Sequence, residues 1–266
     1  MSNIKKIKLF VNDNEQSKKI YEKLVDSLLQ NDFLLVDTSF DLAIAVGGDG
    51  CFLRMVKECN FNSEIYYVGI NTGTLGFAQD IDVDEINFFI NSLKNDYINY
   101  EEISIGEVDV YNKNNISHYN FLNEIVIRDK ELNTLKLDTY VDDFLLENYV
   151  GDGLLLATSF GSTAYNLSFG GSIIYHNFHT LQITPIAPLN NKSYHSLMNS
   201  VVIPSGKNVT LFPTVEPKNM LLSIDGDNYL YNNIEKINVF IHNKNIKVIR
   251  KKDFNFIRKI NDKFLN

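Results

Sequence analysis

The sequence predicts an α/β N-terminal domain over residues 1–97 and a β-rich, β-sandwich-like C-terminal domain over residues 98–245. Two observations predict this fold class. Continuous apolar runs alternate with helical patterns in the first part, as in parallel sheets that helices cover on both faces. Beyond Tyr100, short strand patterns follow one another closely between turn residues, which is typical of a β-sandwich or another β-rich domain.

The elements of the first part follow from the spacing of its apolar residues. Ile20, Leu24 and Leu28 recur every four residues and predict a helix over Glu15–Gln30. Leu42–Val46 is apolar throughout and predicts a strand buried on both faces. The same reasoning predicts strands or short apolar runs at Ile4–Val11, Phe33–Val36 and Ile65–Ile70, and helices at Phe52–Cys59 and Asp84–Leu93.

Short apolar stretches predict the strands of the second part. Residues 103–110 belong to one alternating stretch, and one short helix is predicted near Ser162–Leu167. The last segment, 246–266, carries mixed charge and can return to the first domain. The further predicted strands are Phe121–Ile127, Leu135–Val141, Leu145–Val150, Leu154–Thr158, Leu181–Ile186, Val201–Ile203, Val209–Phe212, Leu221–Ile224 and Ile237–Ile241.

The composition limits the classes of protein to which the chain can belong. A length of 266 residues with 44% hydrophobic residues is enough for one large core or two modest ones. The 25 basic and 33 acidic side chains give a formal charge of −8, which disfavours a nucleic-acid binder because such proteins carry a basic surface. A protein of this charge that handles phosphates must neutralise them locally, with backbone N–H groups, a few cations or a metal.

Two cysteines, Cys51 and Cys59, give no disulfide framework, and we therefore expect a reducing, cytoplasmic location. The first residues, Met1–Leu9, alternate lysine with apolar residues and lack the apolar core of a signal peptide. No stretch approaches the roughly 18 apolar residues of a membrane-spanning helix, so no membrane association is expected.

The sequence Gly47-Gly48-Asp49-Gly50 follows a predicted parallel strand and precedes a predicted helix. Ligands of open α/β sheets bind at this edge, where glycine lets the backbone approach a phosphate and the helix N-terminus offers N–H donors. Asp49 in such a loop can orient a hydroxyl, accept its proton or hold Mg²⁺. For these four residues alone, an ordinary strand-to-helix turn is an equally good interpretation.

Two neighbouring features extend this candidate site. Arg54 lies one helical turn beyond Gly50 and can reach a phosphate, although a solvated surface arginine is the alternative. The loop Asn71–Phe77 also follows a buried strand, and its glycines, with Gly73 among them, leave room for a planar ring. Phe77 can stack on an adenine there, whereas a core phenylalanine is the simpler interpretation of this loop alone.

The pair Asn123-Glu124 interrupts the apolar run Phe121–Ile127. Adjacent residues of a strand point to opposite faces, so at least one of these polar side chains should be buried or belong to a site. Ribose hydroxyls and purine edges are suitable partners for them. A bulge or a strand end is the alternative interpretation.

The segment 151–171 carries the densest group of candidate residues, from Gly151-Asp152-Gly153 through Gly161-Ser162-Thr163-Ala164-Tyr165-Asn166 to Gly170-Gly171. Ser162 or Thr163 can cap the short helix predicted here. Tyr165 offers a ring for stacking and a polar tip. A capped helix explains the small residues but not why Asp152 and Asn166 lie in the same segment.

These motifs resemble, in order and in approximate separation, those of NAD kinases, and the resemblance runs from the first strand to about Asp225. Gly-Gly-Asp-Gly is shared with diacylglycerol kinases, sphingosine kinases and phosphofructokinases, whereas Asn-Glu followed by Gly-Asp-Gly and Gly-Ser-Thr-Ala-Tyr is highly specific. The resemblance implies an NAD kinase-like fold and transfer of a phosphoryl group from ATP, or from polyphosphate, to the 2′-hydroxyl of the adenosine ribose of NAD. It also implies a homo-oligomer, dimer or tetramer, that uses a divalent cation, Mg²⁺.

The resemblance further implies roles for individual residues, none of them a metal ligand. Asp49 would be the catalytic acid/base that engages the attacking hydroxyl. Gly50 and Arg54 would lie along the phosphates, and Phe77 would border the adenine. The other implied nucleotide-binding residues are Asn123 and Glu124 at the adenosine of NAD, Asp152 at the nicotinamide half, and Gly73, Ser162, Thr163, Ala164, Tyr165, Asn166, Ser168, Ala187, Asn191 and Asp225, the last three partly from a neighbouring subunit.

Three positions depart from the family pattern: Cys51 stands where Thr or Ser is usual, Val150 where some relatives have Arg, and Ser159 where Pro is frequent. We interpret Cys51 as a small packing residue. Two other functions stay open, a lipid kinase, which the acidic charge and the lack of an amphipathic segment disfavour, and a non-catalytic NAD-binding regulator. A Rossmann dehydrogenase and a P-loop enzyme are disfavoured because neither G-x-G-x-x-G nor a Walker motif is present.

Overall fold

Residues 4–73, 76–113, 115–216, 218–242 and 244–265 are described by a computed structural model of the chain, which divides into two units. The first unit combines Met1–Ile103 with Asn245–Asn266, and the second unit is Ser104–Lys244. Helices and a sheet with parallel strand pairs make up the first unit, and strands dominate the second. The predicted fold class, α/β followed by β-rich, is therefore confirmed.

Most elements follow the predicted pattern, and the predicted bounds of Glu15–Gln30 and Leu42–Val46 coincide with those of a helix and a strand. The helices are α1 (Glu15–Gln30), α2 (Asp49–Glu58), α3 (Ile86–Lys94), α4 (Tyr165–Ser168) and α5 (Phe256–Phe264), with 3₁₀ turns at Val83–Glu85 and Phe160–Thr163. The strands are β1 (Lys6–Val11), β2 (Leu34–Leu35), β3 (Leu42–Val46), β4 (Tyr66–Ile70), β5 (Asn99–Ser104), β6 (Gly106–Asn112), β7 (Asn115–Phe121), β8 (Glu124–Asp129), β9 (Leu135–Val141), β10 (Phe144–Gly151), β11 (Gly153–Thr158), β12 (Thr180–Ile186), β13 (Val201–Pro204), β14 (Asn208–Pro213), β15 (Met220–Ile224), β16 (Asp227–Tyr231), β17 (Ile234–Phe240) and β18 (Asn245–Arg250).

The sheet of the first unit has the strand order β2-β1-β3-β4-β18-β5. Its strands β1, β3 and β4 are parallel, with Leu9 opposite Ile44 and Ile44 opposite Val68. Every residue of β3 is buried, as its continuous apolar sequence predicts. The carboxyl ends of β3 and β4 therefore lie at the same edge of the sheet, and the loops that follow them begin side by side.

Helix α1 shows why the spacing of apolar residues predicts a helix correctly. Ile20, Leu24 and Leu28 are buried together with β3, so the four-residue period marks the face that packs on the sheet. The helix begins after Asn14, whose side-chain oxygen accepts a hydrogen bond from the Ser17 N–H at 2.8 Å.

The second unit contains two six-stranded sheets, with orders β10-β9-β14-β17-β6-β7 and β13-β12-β11-β8-β15-β16. Its described strand pairs are antiparallel, and both sheets contribute to one hydrophobic core. Val108 and Leu137 enter this core from the first of these sheets, and Ile125 and Leu156 enter it from the second. A shared core between two sheets is the arrangement of a β-sandwich.

One strand falls elsewhere than the sequence pattern suggests, and another joins the first sheet from a segment in which no strand was predicted. β5, which contains Ile103, belongs to the sheet of the first unit, although the sequence grouped it with Val108 in one alternating stretch. β18 pairs in parallel with β4, with Lys247 opposite Tyr66. Alternation of apolar residues reports a half-buried strand but carries no information on its neighbour, which explains the difference. In the described part of the chain, no helix has both the length and the apolar character needed to cross a membrane.

Candidate active site

The loop between β3 and α2 is shaped by close backbone approach at Gly47. A Cβ atom on Gly47 would lie 2.8 Å from Cβ of Cys51 and 2.9 Å from Cβ of Asn12, so only glycine fits. Helix α2 begins at Asp49, three residues earlier than the predicted Phe52. Asp49 is therefore in the first helical turn, where the exposed N–H groups favour a negative charge.

The Asp49 carboxylate is held in place yet remains open to ligands. Its Oδ2 accepts from the Phe77 N–H at 3.2 Å, and its Oδ1 accepts from the Ala78 N–H at 2.9 Å. Lys263 of α5 places its Nζ 3.3 Å from Oδ2, and the Asp49 side chain is 44% exposed. A Cβ on Gly76 would lie 2.4 Å from Oδ1, so the loop after β4 must be glycine here to approach the acid.

The predicted residues that follow Asp49 in α2 differ in whether they are exposed or already bonded within the protein. Gly50 is exposed, and a Cβ there would meet nothing within 4 Å. Arg54 donates from Nη2 to the Val11 carbonyl at 2.7 Å, and its Nε lies 3.8 Å from Oε1 of Glu58. Cys51 is buried as a packing residue, and burial raises the pKa of its thiol. The guanidinium of Arg54 is thus directed toward backbone, and its phosphate contact stays a prediction.

Phe77 lies in the core of the first unit, only 4% exposed. Its ring centroid is 6.2 Å from that of Phe256 and 5.4 Å from that of Phe264, both on α5. The ring is therefore part of the core of this unit, and its contact with an adenine stays a prediction. In the same loop, the exposed Gly73 donates its N–H to Oδ1 of Asn71 at 3.2 Å, and Thr74 and Leu75 lie outside the described residues.

The prediction that Asn123 and Glu124 lie inside one continuous strand is wrong. β7 ends at Phe121 and β8 begins at Glu124, so Asn123 lies in the break between them. The physical cause is Asp225, whose buried carboxylate accepts from the N–H groups of Leu122 and Asn123, both at 2.7 Å, and of Glu124 at 3.2 Å. These three N–H groups donate to one carboxylate instead of pairing with a neighbouring strand, and the Asp225 carboxylate thereby holds the turn in place.

Glu124 is the most strongly perturbed acid of this turn. Burial, followed by the negative charge of Asp225, raises the pKa of its carboxyl to about 8, against an opposing hydrogen bond from the Tyr165 backbone. Within the described residues, its Oε2 is buried without a hydrogen-bond partner. A carboxyl of this kind is protonated near neutral pH and can donate a hydrogen bond to a ligand oxygen or nitrogen.

Two of the predicted site residues after β11 have buried side chains. Ser162 and Asn166 are fully buried: Ser162 Oγ donates to the Ser159 carbonyl at 2.7 Å, and Asn166 Oδ1 accepts from Thr184 Oγ1 at 2.6 Å. The predicted side-chain cap by Ser162 or Thr163 is wrong, because α4 begins after Ala164 without a side-chain cap. Both side chains thus form hydrogen bonds within the protein, and their contacts with a nucleotide stay a prediction.

The remaining residues of this segment reach the surface. Thr163 and Ala164 are partly buried, Ser168 is exposed, and the Tyr165 side chain is 45% exposed. The Tyr165 ring meets that of Phe169 edge-on at 4.7 Å, which fixes its orientation. These residues follow Gly161, where a Cβ would lie 2.0 Å from the Asn123 carbonyl oxygen, so the turn packs directly on the Asn123 backbone.

A separate group surrounds the turn between β10 and β11. Asp152 is exposed, and its N–H donates to the Ile186 carbonyl at 3.0 Å, which brings it beside Ala187. The Tyr149 hydroxyl donates to the same carbonyl at 2.8 Å and fixes the turn. Asn191 is exposed, and its Oδ1 accepts from the N–H groups of Ser193 and Tyr194.

Sequence reasoning missed two residues beside Asp49. Lys263 carried no local signal, because it lies 214 positions from its partner. Gln79 is 2% exposed, and within the described residues neither of its amide atoms has a hydrogen-bond partner. A Cβ on Gly76 would lie 1.9 Å from Oε1 of Gln79, so this amide adjoins the carboxylate of Asp49. A cavity of about 900 Å³ in the first unit, lined by α3 and β18, contains none of the predicted site residues.

Two protein-family models match the chain. The one described as ATP-NAD kinase N-terminal domain matches residues 12–98, and the one described as ATP-NAD kinase C-terminal domain matches residues 122–251. Together these ranges include every site residue predicted from the sequence, whereas Lys263 lies beyond both.

Similarity to known proteins extends over the full length. An NAD kinase of Finegoldia magna is 40% identical over 273 residues, which cover 99% of each chain. An NAD kinase of Streptococcus gordonii is 32% identical over 264 residues, which cover 98% of this chain and 96% of the relative. The crystal structure of yeast NADH kinase complexed with NADH shares the fold, with a TM-score of 0.85 at 20% identity over 97% of this chain and 87% of that one. The chain therefore belongs to the NAD kinase family, whose enzymes phosphorylate NAD.

Proposed function

We propose that this chain transfers the terminal phosphoryl group of ATP to the 2′-hydroxyl of the adenosine ribose of NAD, giving NADP and ADP, and that Asp49 engages the hydroxyl. One observation carries the assignment of Asp49. Its carboxylate is fixed by the Phe77 and Ala78 N–H groups, at the ligand-binding edge of a parallel sheet, while 44% of the side chain stays exposed.

The chemistry asks for positioning more than for covalent assistance. The ribose oxygen forms a bond to the terminal phosphorus, the bond from that phosphorus to the bridging oxygen of ADP breaks, and the hydroxyl proton passes to Asp49. Two N–H groups already orient the carboxylate, so the acid need not reorganise when the hydroxyl arrives. Proton transfer late in the reaction suits a carboxylate, which is a weak base toward an alcohol.

The second unit supplies the residues that we propose to bind NAD. Glu124 has a buried carboxyl oxygen without a partner in the described residues and suits a hydroxyl or a purine edge. Asn123 lies beside it, and the exposed ring of Tyr165 suits stacking. Asp152, beside Ala187, is proposed to contact the nicotinamide half.

We further propose that the divalent cation, Mg²⁺, enters with the phosphates of the donor. Among the described residues, no group of three or more His, Cys, Asp or Glu side chains is arranged to hold a metal. Mg²⁺ generally keeps waters and phosphate oxygens as ligands beside one or two carboxylates, so donor phosphates are its natural carriers. When bound, the ion neutralises charge on the transferred group. A homo-oligomer and a cytoplasmic location complete the proposal.

The test is NADP production by the purified protein from NAD, ATP and Mg²⁺, coupled to an NADP-specific dehydrogenase. We expect Asp49→Asn to keep NAD binding, measured by calorimetry, and to lower kcat by about a hundredfold or more, the usual contribution of a general base. Asp84→Asn, at an exposed acid of the same unit, is the matched control.

Other outcomes point to other functions. Unchanged turnover in Asp49→Asn would remove this acid from the mechanism. Product formed only with diacylglycerol as acceptor would favour a lipid kinase, and NAD binding without product would favour a regulator.

A further inference from the structure

The amine of Lys263 occupies the position beside Asp49 where a reacting phosphate is expected. Its Nζ lies 3.3 Å from Oδ2 of Asp49 and 4.8 Å from the centroid of the Phe77 ring. The Lys263 side chain is 27% exposed, so a ligand that reaches Asp49 also reaches this amine. An ammonium group between a carboxylate and an aromatic face is held in one orientation and keeps its charge. It has three N–H donors, more than the carboxylate alone uses.

Packing of α5 fixes the position of this lysine. Lys259, one turn earlier on the helix, is buried, donates to the Gln79 carbonyl at 2.7 Å and pairs with Asp80. Phe256 is also buried and packs its ring near that of Phe77. Since residues one turn apart share a helix face, these anchors direct Lys263 toward Asp49.

The negative charge of the substrates requires a cation beside Asp49. ATP and NAD bring several phosphate charges to a chain of formal charge −8. Arg54, the cation that the sequence suggested for this role, donates instead to the Val11 carbonyl. Lysine is a frequent phosphate ligand because its ammonium is a compact charge on a flexible stem.

We propose that Lys263 contacts the transferred phosphoryl group of the donor. When the donor binds, Nζ moves from Oδ2 of Asp49 to the phosphate oxygens, which leaves Oδ2 free to accept the hydrogen bond of the attacking hydroxyl. The amine keeps its proton throughout and forms no covalent bond. This inference rests on the proposed function, because it assigns Lys263 to the same phosphoryl transfer.

The experiment compares steady-state kinetics of K263M, K263R and R258M with those of the unaltered protein. Arg258 is an exposed cation on the same helix, so its replacement makes the same change in charge away from the site. We expect K263M to lower kcat/KM for ATP by about tenfold or more, as loss of a charge-assisted hydrogen bond predicts. KM for NAD should stay unchanged, K263R should retain most of the activity, and R258M should match the unaltered protein.

The possible failures are distinguishable. No NADP from the unaltered protein would overturn the proposed function itself. With an active unaltered protein, K263M kinetics equal to those of R258M would overturn the role of Lys263, as would higher turnover in K263M, which would make the contact inhibitory. Thermal denaturation and KM for NAD separate a structural role: a lower Tm with equal losses for both substrates in K263M and K263R would also overturn the inference.

Discussion

Asp225 shows how one buried acid can shape a turn of the predicted binding site. Three successive N–H groups, of Leu122, Asn123 and Glu124, converge on its carboxylate. They are turned away from any strand partner, and the break between β7 and β8 follows from this. The polar pair in the sequence indicated a candidate site, but residue type could not tell which acid would be hydrogen-bonded within the protein. The same limit applies to Ser162 and Asn166, whose polar groups are satisfied within the protein.

At Glu124 the raised pKa predicts a pH dependence of stability. The folded protein keeps this proton up to about pH 8, whereas an unperturbed glutamate loses it near pH 4.5. Between these values the folded state binds more protons, so the stability contribution of Glu124 falls as pH rises, by at most about 1.4 kcal/mol per pH unit. We expect E124Q to lose less stability than the unaltered protein between pH 5 and pH 8, measured by urea denaturation.

The matched control for this comparison is E131Q, at an exposed glutamate of the same unit. It should follow the pH dependence of the unaltered protein. Parallel curves for E124Q and the unaltered protein would show that Glu124 is ionised in the folded state throughout this range.

Gly161 supports a second prediction at the residue scale. A Cβ there would lie 2.0 Å from the Asn123 carbonyl oxygen, which is backbone and cannot rotate away. We expect G161A to lower the free energy of unfolding by about 1–3 kcal/mol, the usual cost of overpacking, and to weaken NAD binding because the Asn123-Glu124 turn must shift. Denaturant melts and calorimetry check both effects. G73A, where the nearest atom would be 3.7 Å away, should leave stability nearly unchanged; equal losses in the two variants would contradict the steric argument.

Among the α-helices of the described residues, α5 is the one that the sequence left unassigned. One face of this helix carries Phe256, Lys259 and Lys263. The apolar spacing of a helix is not visible there, because lysine is normally expected at solvent-exposed positions. In the structure Lys259 is buried, and burial lowers the pKa of its amine despite the charge of Asp80. The Asp80 carboxylate is shared with Arg250 of β18, whose Nη1 lies 3.4 Å away. Buried pairing therefore attaches α5 to the sheet.

We expect K259M to loosen α5, since it leaves Asp80 buried with one cation fewer. Breaking one partner of a buried ion pair costs about 3 kcal/mol, and here the loss should be concentrated in one helix. Hydrogen exchange across residues 256–264 should become faster, while the strands of the second unit keep their protection. The double variant K259M/D80N removes the stranded charge and should recover part of the protection. Unchanged exchange in K259M would show that aromatic packing alone holds the helix.

Over the whole molecule, local patterns predicted what depends on local sequence. The period of α1 and the apolar run of β3 fixed those elements to the residue, and the family predicted from the motifs is confirmed. Pairings distant in sequence were beyond such patterns: β18 beside β4, and Lys263 beside Asp49. Both depend on which surfaces meet after the chain has folded. Asp49 could be chosen as a candidate from its neighbouring glycines, because the close backbone approach at Gly47 requires glycine and is therefore visible in the sequence.

The place of β18 between β4 and β5 has a consequence for the order of events on the ribosome. Synthesis delivers β1 to β5 first and the whole of the second unit next, yet the ladder between β4 and β5 is bridged by residues 245–250. The sheet of the first unit can therefore be completed only after the second unit has been synthesised. Until then, the edges of β4 and β5 that pair with β18 stay unpaired, whereas the second unit can already form both of its sheets.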